Sequence, residues 1–166
     1  QKQGFLTGEY LVGKMTELYQ TGHVWTLGLK SQLPFLDLGY GDTVYDAAVA
    51  AYLLNPLKDT YDYDDLARDH LGLTAPSRAD LLKKLTYAEA MDQEPEAFLS
   101  FAGFLGHCAY QSGGILMEKL EAEGMKDLYL EIELPLIYTL FHMEDEGIAV
   151  RREELTAYGG KLKKQI

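Results

Sequence analysis

The segment Asp46-Ala47-Ala48-Val49-Ala50-Ala51-Tyr52-Leu53-Leu54-Asn55-Pro56 constrains the fold more than any other part of this chain. Ala47 to Leu54 is an apolar run rich in alanine, the strongest helix former, and small side chains permit close approach of a neighbouring element. Asp46 stands where its carboxylate can accept from the free N–H groups of the first turn. Pro56 forbids simple continuation, because its ring clashes with the preceding turn and it has no N–H to donate. The pattern predicts a short apolar helix packed tightly against its neighbours.

Other elements follow from the same rules. Apolar residues at Tyr10, Leu11, Met15, Leu18 and Tyr19 give Thr7 to Tyr19 one helical face, closed by Thr21-Gly22. Val24 to Leu29 reads as a short buried strand. Leu33 to Tyr40 reads as a short helix or turn. Asp62 or Asp64 is placed to cap a helix from Asp65. Residues 72–93 read as short helical pieces joined at Thr74–Ser77 and Asp92-Gln93. Pro95 suits the first turn of a long apolar helix, with a possible kink at Gly113-Gly114 and a stop at Gly124. Leu130, Leu134, Ile137, Tyr138, Phe141 and Met143 form another apolar face, ending at Gly147. Ile148 to Val150 is an extended link to a helix over Arg151–Ile166.

At 166 residues the chain can bury a real core. No apolar run approaches the ~18 residues of a membrane span, so no membrane partner is expected. The single cysteine, Cys108, excludes an internal disulfide and suits a cytoplasmic location. The first residue, Gln1, is the start expected of a piece of a longer chain. The net charge of −11 opposes contact with phosphate backbones. Only the C-terminal segment is basic, with Arg151, Arg152, Lys161, Lys163 and Lys164 against two acids. These five are the candidate DNA contacts.

Three motifs in order carry a resemblance. The first is the aromatic-Asp helix with its Leu-Leu-Asn-Pro stop, followed by Asp64-Asp65-Leu66-Ala67. The second is Leu130-Glu131-Ile132-Glu133-Leu134-Pro135-Leu136, and the third is Met143-Glu144-Asp145-Glu146-Gly147-Ile148. Together they resemble the 3′–5′ exonuclease region of bacterial family A DNA polymerases, the DNA polymerase I type. The resemblance implies an α/β, ribonuclease-H-like exonuclease fold, helix-rich here and truncated at its N-terminal side. Residues 1–127 would be the later part of that domain, and 128–166 a linker with the start of the polymerase thumb. It also implies DNA and other domains of the same chain as partners.

The family's exonucleases use two metal ions held by carboxylates to activate water and stabilise the leaving oxygen. Their first Asp-x-Glu pair lies upstream of Gln1. The second motif, Asn-x-x-x-Asp, falls on Gly28-Leu29-Lys30-Ser31-Gln32, so Gly28 replaces Asn and Gln32 replaces the metal-binding Asp. The third, Tyr-x-x-x-Asp, falls on Phe101-Ala102-Gly103-Phe104-Leu105. Phe101 there replaces the Tyr and Leu105 the second metal-binding Asp. A competing placement on Tyr110 to Gly114 also lacks the acid. No catalytic or metal-binding residue is therefore expected in this segment, and Mg²⁺ would serve the parent polymerase. The expected role is a vestigial module that positions the polymerase domain. The alternatives are an active metal-dependent exonuclease and an acidic protein-interaction module.

Other constellations are weaker. Asp59, Asp62, Asp64 and Asp65 lack the spacing of a calcium loop, so a solvated helix start is expected. His23, His70, His107 and His142 are scattered. Cys108 lies in an apolar run and reads as a core thiol. Tyr40, Tyr45, Tyr52, Tyr61 and Tyr63 lack interleaved basic residues and read as packing residues.

Overall fold

The computed structural model describes residues 6–36, 38, 39 and 44–165. Helix α1 (Gly8–Thr21) is capped by Thr7, which accepts from the Tyr10 N–H at 3.3 Å. Strand β1 (Val24–Thr26) pairs in parallel with β2 (Val44–Asp46), with Val24 opposite Val44 and Thr26 opposite Asp46. A parallel pair needs a crossover. Here it contains α2 (Leu29–Gln32) and a 3₁₀ turn (Leu33–Phe35). Of the turn expected over Leu33–Tyr40, Asp37 and Tyr40 lie outside the described residues.

Two sequence expectations need correction here. The strand expected over Val24–Leu29 stops at Thr26, because Gly28 takes φ +75° and turns the chain into α2. Strand β2 was not foreseen: three residues are too few to show a period of two, and Tyr45-Asp46 reads as a helix start.

Helix α3 (Ala47–Leu54) begins on Asp46, whose carboxylate accepts from Ala48 and Val49, and ends at Asn55. Ala47 and Ala50 are fully buried, as the close-packing argument requires. Helix α4 (Tyr63–Leu66) widens into a π turn (Ala67–Leu71) and stops at Gly72, with Asp62 rather than Asp64 at the cap position. The short helices α5 (Arg78–Leu82) and α6 (Tyr87–Gln93) follow, each opened by a capping box. Gln93 is still helical, so the break falls at Glu94 rather than at Asp92-Gln93.

The 28-residue α7 (Pro95–Ala122) runs through Gly113-Gly114 without interruption. Gly113 serves packing instead: a Cβ there would lie 2.4 Å from the Trp25 ring. The short α8 (Lys126–Leu128) leads through a π turn (Tyr129–Glu133) into α9 (Leu134–Glu146). Tyr129, Leu134 and Ile137 share one core with Leu29, Val44 and Ala50. A second cluster gathers Tyr63, Leu82, Phe101 and Cys108 along α7. Helix α10 (Arg152–Leu162) follows a link without regular secondary structure and buries none of its residues. The result is a helix-rich chain around a small parallel sheet, compatible with an α/β fold. Among the described residues no helix is long and apolar enough to cross a membrane.

Candidate functional site

The turn after β1 is fixed from below by Asp46. One carboxylate oxygen accepts from the Leu29 N–H at 2.7 Å, while the other accepts from Ala48 at 2.9 Å and Val49 at 3.3 Å. Asp46 is 3% exposed, and burial pushes its carboxyl above the ordinary value against the pull of these amides. It caps α3, as expected, and also ties α3 to the start of α2.

Above this turn lies a cavity of ≈ 210 Å³ bordered by Gly28, Phe101 and Leu105, with Asp62, Arg78 and Tyr87 around it. Three of the four motif positions therefore meet, although Phe101 lies 73 positions beyond Gly28 in the sequence. Phe101 is 5% exposed and sits edge-on to Tyr63, with ring centroids 5.6 Å apart. Gln32 is absent from the border. Its amide donates to the Thr26 hydroxyl at 2.6 Å and to the Leu27 carbonyl at 3.0 Å, so it braces the strand end. The competing placement behaves differently: Tyr110 is exposed and Gly113 packs on Trp25.

Asp62 is the carboxylate among the described residues bordering the cavity. Burial raises its pKa, assisted by Asp64 and Asp65 and opposed by Arg78. One carboxylate facing a guanidinium does not fit a pair of hard divalent ions, which take several oxygen ligands each. Asp62, Arg78 and Tyr87 were not foreseen as border residues. Arg78 stacks over the Tyr87 ring, 5.3 Å from its centroid, but their spacing in the sequence carries no signal of that. Tyr63 is a packing residue, as expected; its hydroxyl donates to the Pro76 carbonyl, and burial raises its pKa to about 12.

A wider cleft of ≈ 810 Å³ opens between the ends of α3 and α7, bordered by Lys58, Asp65, Asp69, His70 and Lys119. Its charges pair with one another. Asp65 binds Thr60, Arg68 and Lys58, and Asp69 binds Lys58 and Arg68. The acidic stretch from Asp59 is thus partly an ion-pair network rather than simply a solvated helix start. Lys119 donates to His70 Nδ1 at 3.0 Å, and burial lowers the His70 pKa. Among the described residues no three His, Cys, Asp or Glu side chains gather in a way that could hold a metal ion. Cys108 is buried beside Phe101 in the second core cluster, and burial raises its thiol pKa.

The basic residues flank α10. Arg151 precedes the helix and pairs with Glu154 at 2.9 Å, Arg152 opens it, and Lys161 lies in its last turn. Lys163 and Lys164 follow, and all five side chains are exposed. Ile166 lies outside the described residues.

Comparison with known proteins places these observations in a lineage. The chain is 31% identical over 128 residues to a DNA polymerase I of Synechocystis sp., a match covering 76% of this chain and 13% of the relative. It is 28% identical over 111 residues to the DNA polymerase I of Treponema pallidum, covering 66% of this chain and 11% of that protein. The matches thus span roughly an eighth of those relatives' length. No family model matches the chain, and no solved structure matches it.

Proposed function

From the premise that this chain is related to bacterial DNA polymerase I, we propose that it is a 3′–5′ exonuclease-like module of ribonuclease-H-like fold that no longer cuts DNA. Its role is to space and orient the polymerase domain of its parent protein during replication and repair in the cytoplasm. Residues 1–127 form the exonuclease-like body. Residues 128–166 form the connection to the thumb, anchored to the body through Tyr129, Leu134 and Ile137.

The convergence of Gly28, Phe101 and Leu105 on one cavity carries this reading. It supports the assignment of the two motifs, because positions belonging to each of them meet in space. At that meeting point a glycine, an aromatic ring and an aliphatic chain stand where metal-dependent cleavage needs polar and acidic groups. Gln32 points its amide into the strand end, which supports the same conclusion. In this reading DNA is a partner of the parent protein, and Mg²⁺ belongs to the parent's polymerase site.

Incubating the chain, and the intact parent polymerase, with 3′-labelled single-stranded DNA and Mg²⁺ or Mn²⁺ tests the proposal. No release of 3′-terminal nucleotides is expected. Release that a chelator abolishes would overturn it.

A further inference from the structure

The Tyr129 hydroxyl makes both of its hydrogen bonds to the main chain of one residue 83 positions away. It accepts from the Asp46 N–H at 3.0 Å and donates to the Asp46 carbonyl at 3.0 Å. These are backbone groups that a further strand beside β2 would use, so a side chain takes a strand's place. Tyr129 is fully buried, and its ring lies parallel to Trp25 at 6.5 Å. It begins the π turn Tyr129–Glu133, a wide turn that shifts the register of the helical segment from α8 to α9. On the other side, the Asp46 carboxylate holds Leu29, Ala48 and Val49. One residue therefore gathers the turn beside the cavity, the start of α3 and the segment that leads out of the body.

We infer that the Tyr129–Asp46 clasp fixes the angle at which the helical segment from α8 to α9 leaves the body, making Tyr129 a positioning residue. The inference rests on the reading of the chain as an orienting module and names the contact that does the orienting. Apolar packing alone is non-directional and allows a helix to roll or slide. A hydroxyl bonded to both main-chain groups of one extended residue adds direction, because displacing the segment lengthens or bends both bonds.

The test uses the full chain with Cys108→Ser and spin labels at Tyr52→Cys on α3 and Met143→Cys on α9, both exposed positions. Tyr129→Phe keeps the ring and removes the hydroxyl. The expected result is a shifted or broadened distance distribution, whereas Ile137→Val, which trims the same core without removing a polar group, leaves the distribution unchanged. Exchange of the Asp46 amide should accelerate about tenfold more than that of Ala50, as for loss of one hydrogen bond. An unchanged distribution in a folded Tyr129→Phe variant overturns the clasp. If that variant does not fold, the unaltered chain still decides. Its Tyr129 hydroxyl proton should exchange slowly and show a cross-peak to the Asp46 amide; exchange at the bulk rate overturns the inference. Nuclease activity would overturn the proposed function while leaving this geometry intact, so the two failures are distinguishable.

Discussion

At the residue scale, single positions show how much depends on what lies opposite. Gly113 has helical geometry and no conformational need to be glycine, yet the Trp25 ring fills the space of its Cβ. Gly113→Ala should cost about 1–3 kcal/mol by overpacking, read as a lowered midpoint in urea. Trp25→Leu should remove much of that cost, so the two changes should be non-additive in a double-mutant cycle. Additive effects would show that the ring is not the obstacle. The cap at Asp46 was legible in the sequence because a cap reaches only two or three residues along its own chain. The partner of Gly113 was not, because Trp25 lies 88 residues away (113 − 25) and packing leaves no mark at the glycine itself.

At the element scale, α4 and its π turn are held to the loop before them by the network around Asp65. Burial works against the Asp65 charge, but hydrogen bonds from Thr60, Arg68 and Lys58 win and bring its pKa from the ordinary 3.8 down to about 2. A depressed folded-state value means that the stability it contributes is complete above the unfolded value and is lost as pH falls from about 4 to about 2. Asp65→Asn should therefore cost about 2 kcal/mol at neutral pH and flatten the acid limb of the stability curve. An unchanged acid limb would remove Asp65 from that role. A helix start at Asp62 or Asp64 was readable because caps act locally, whereas the capping boxes at Ser77 and Thr86 were not singled out, Ser77 having read as part of a joining segment. Strand β2 and the two π turns were not readable, since a three-residue strand exists only through its partner and a π turn only through what its shifted residues touch.

At the scale of the whole molecule, charge is unevenly divided. The net charge is −11, while Arg151 to Ile166 carries five basic and two acidic residues, or +3. The remainder is therefore −14, which should repel phosphate and confine any DNA contact to the region of α10. Weak duplex binding that falls steeply with added salt is expected in a retention assay, and joint reversal of Arg152, Lys163 and Lys164 to Glu should abolish it. Binding that survives that reversal would place the contact elsewhere. The sequence alone determined the order of most helices, the cap at Asp46, the stops near Gly124 and Gly147, the motifs that resemble those of bacterial family A DNA polymerases and the presence of Gln32 and Leu105 where those motifs call for acids. Those are matters of residue identity and short spacing, and backbone physics reads them locally. Tertiary structure alone decided that Gly28, Phe101 and Leu105 share a cavity, that Gln32 commits its amide to Thr26 and Leu27 and that Tyr129 clasps Asp46. The reason is physical: such contacts join residues distant along the chain, and only the packed core fixes the separation and direction on which a hydrogen bond or a shared cavity depends.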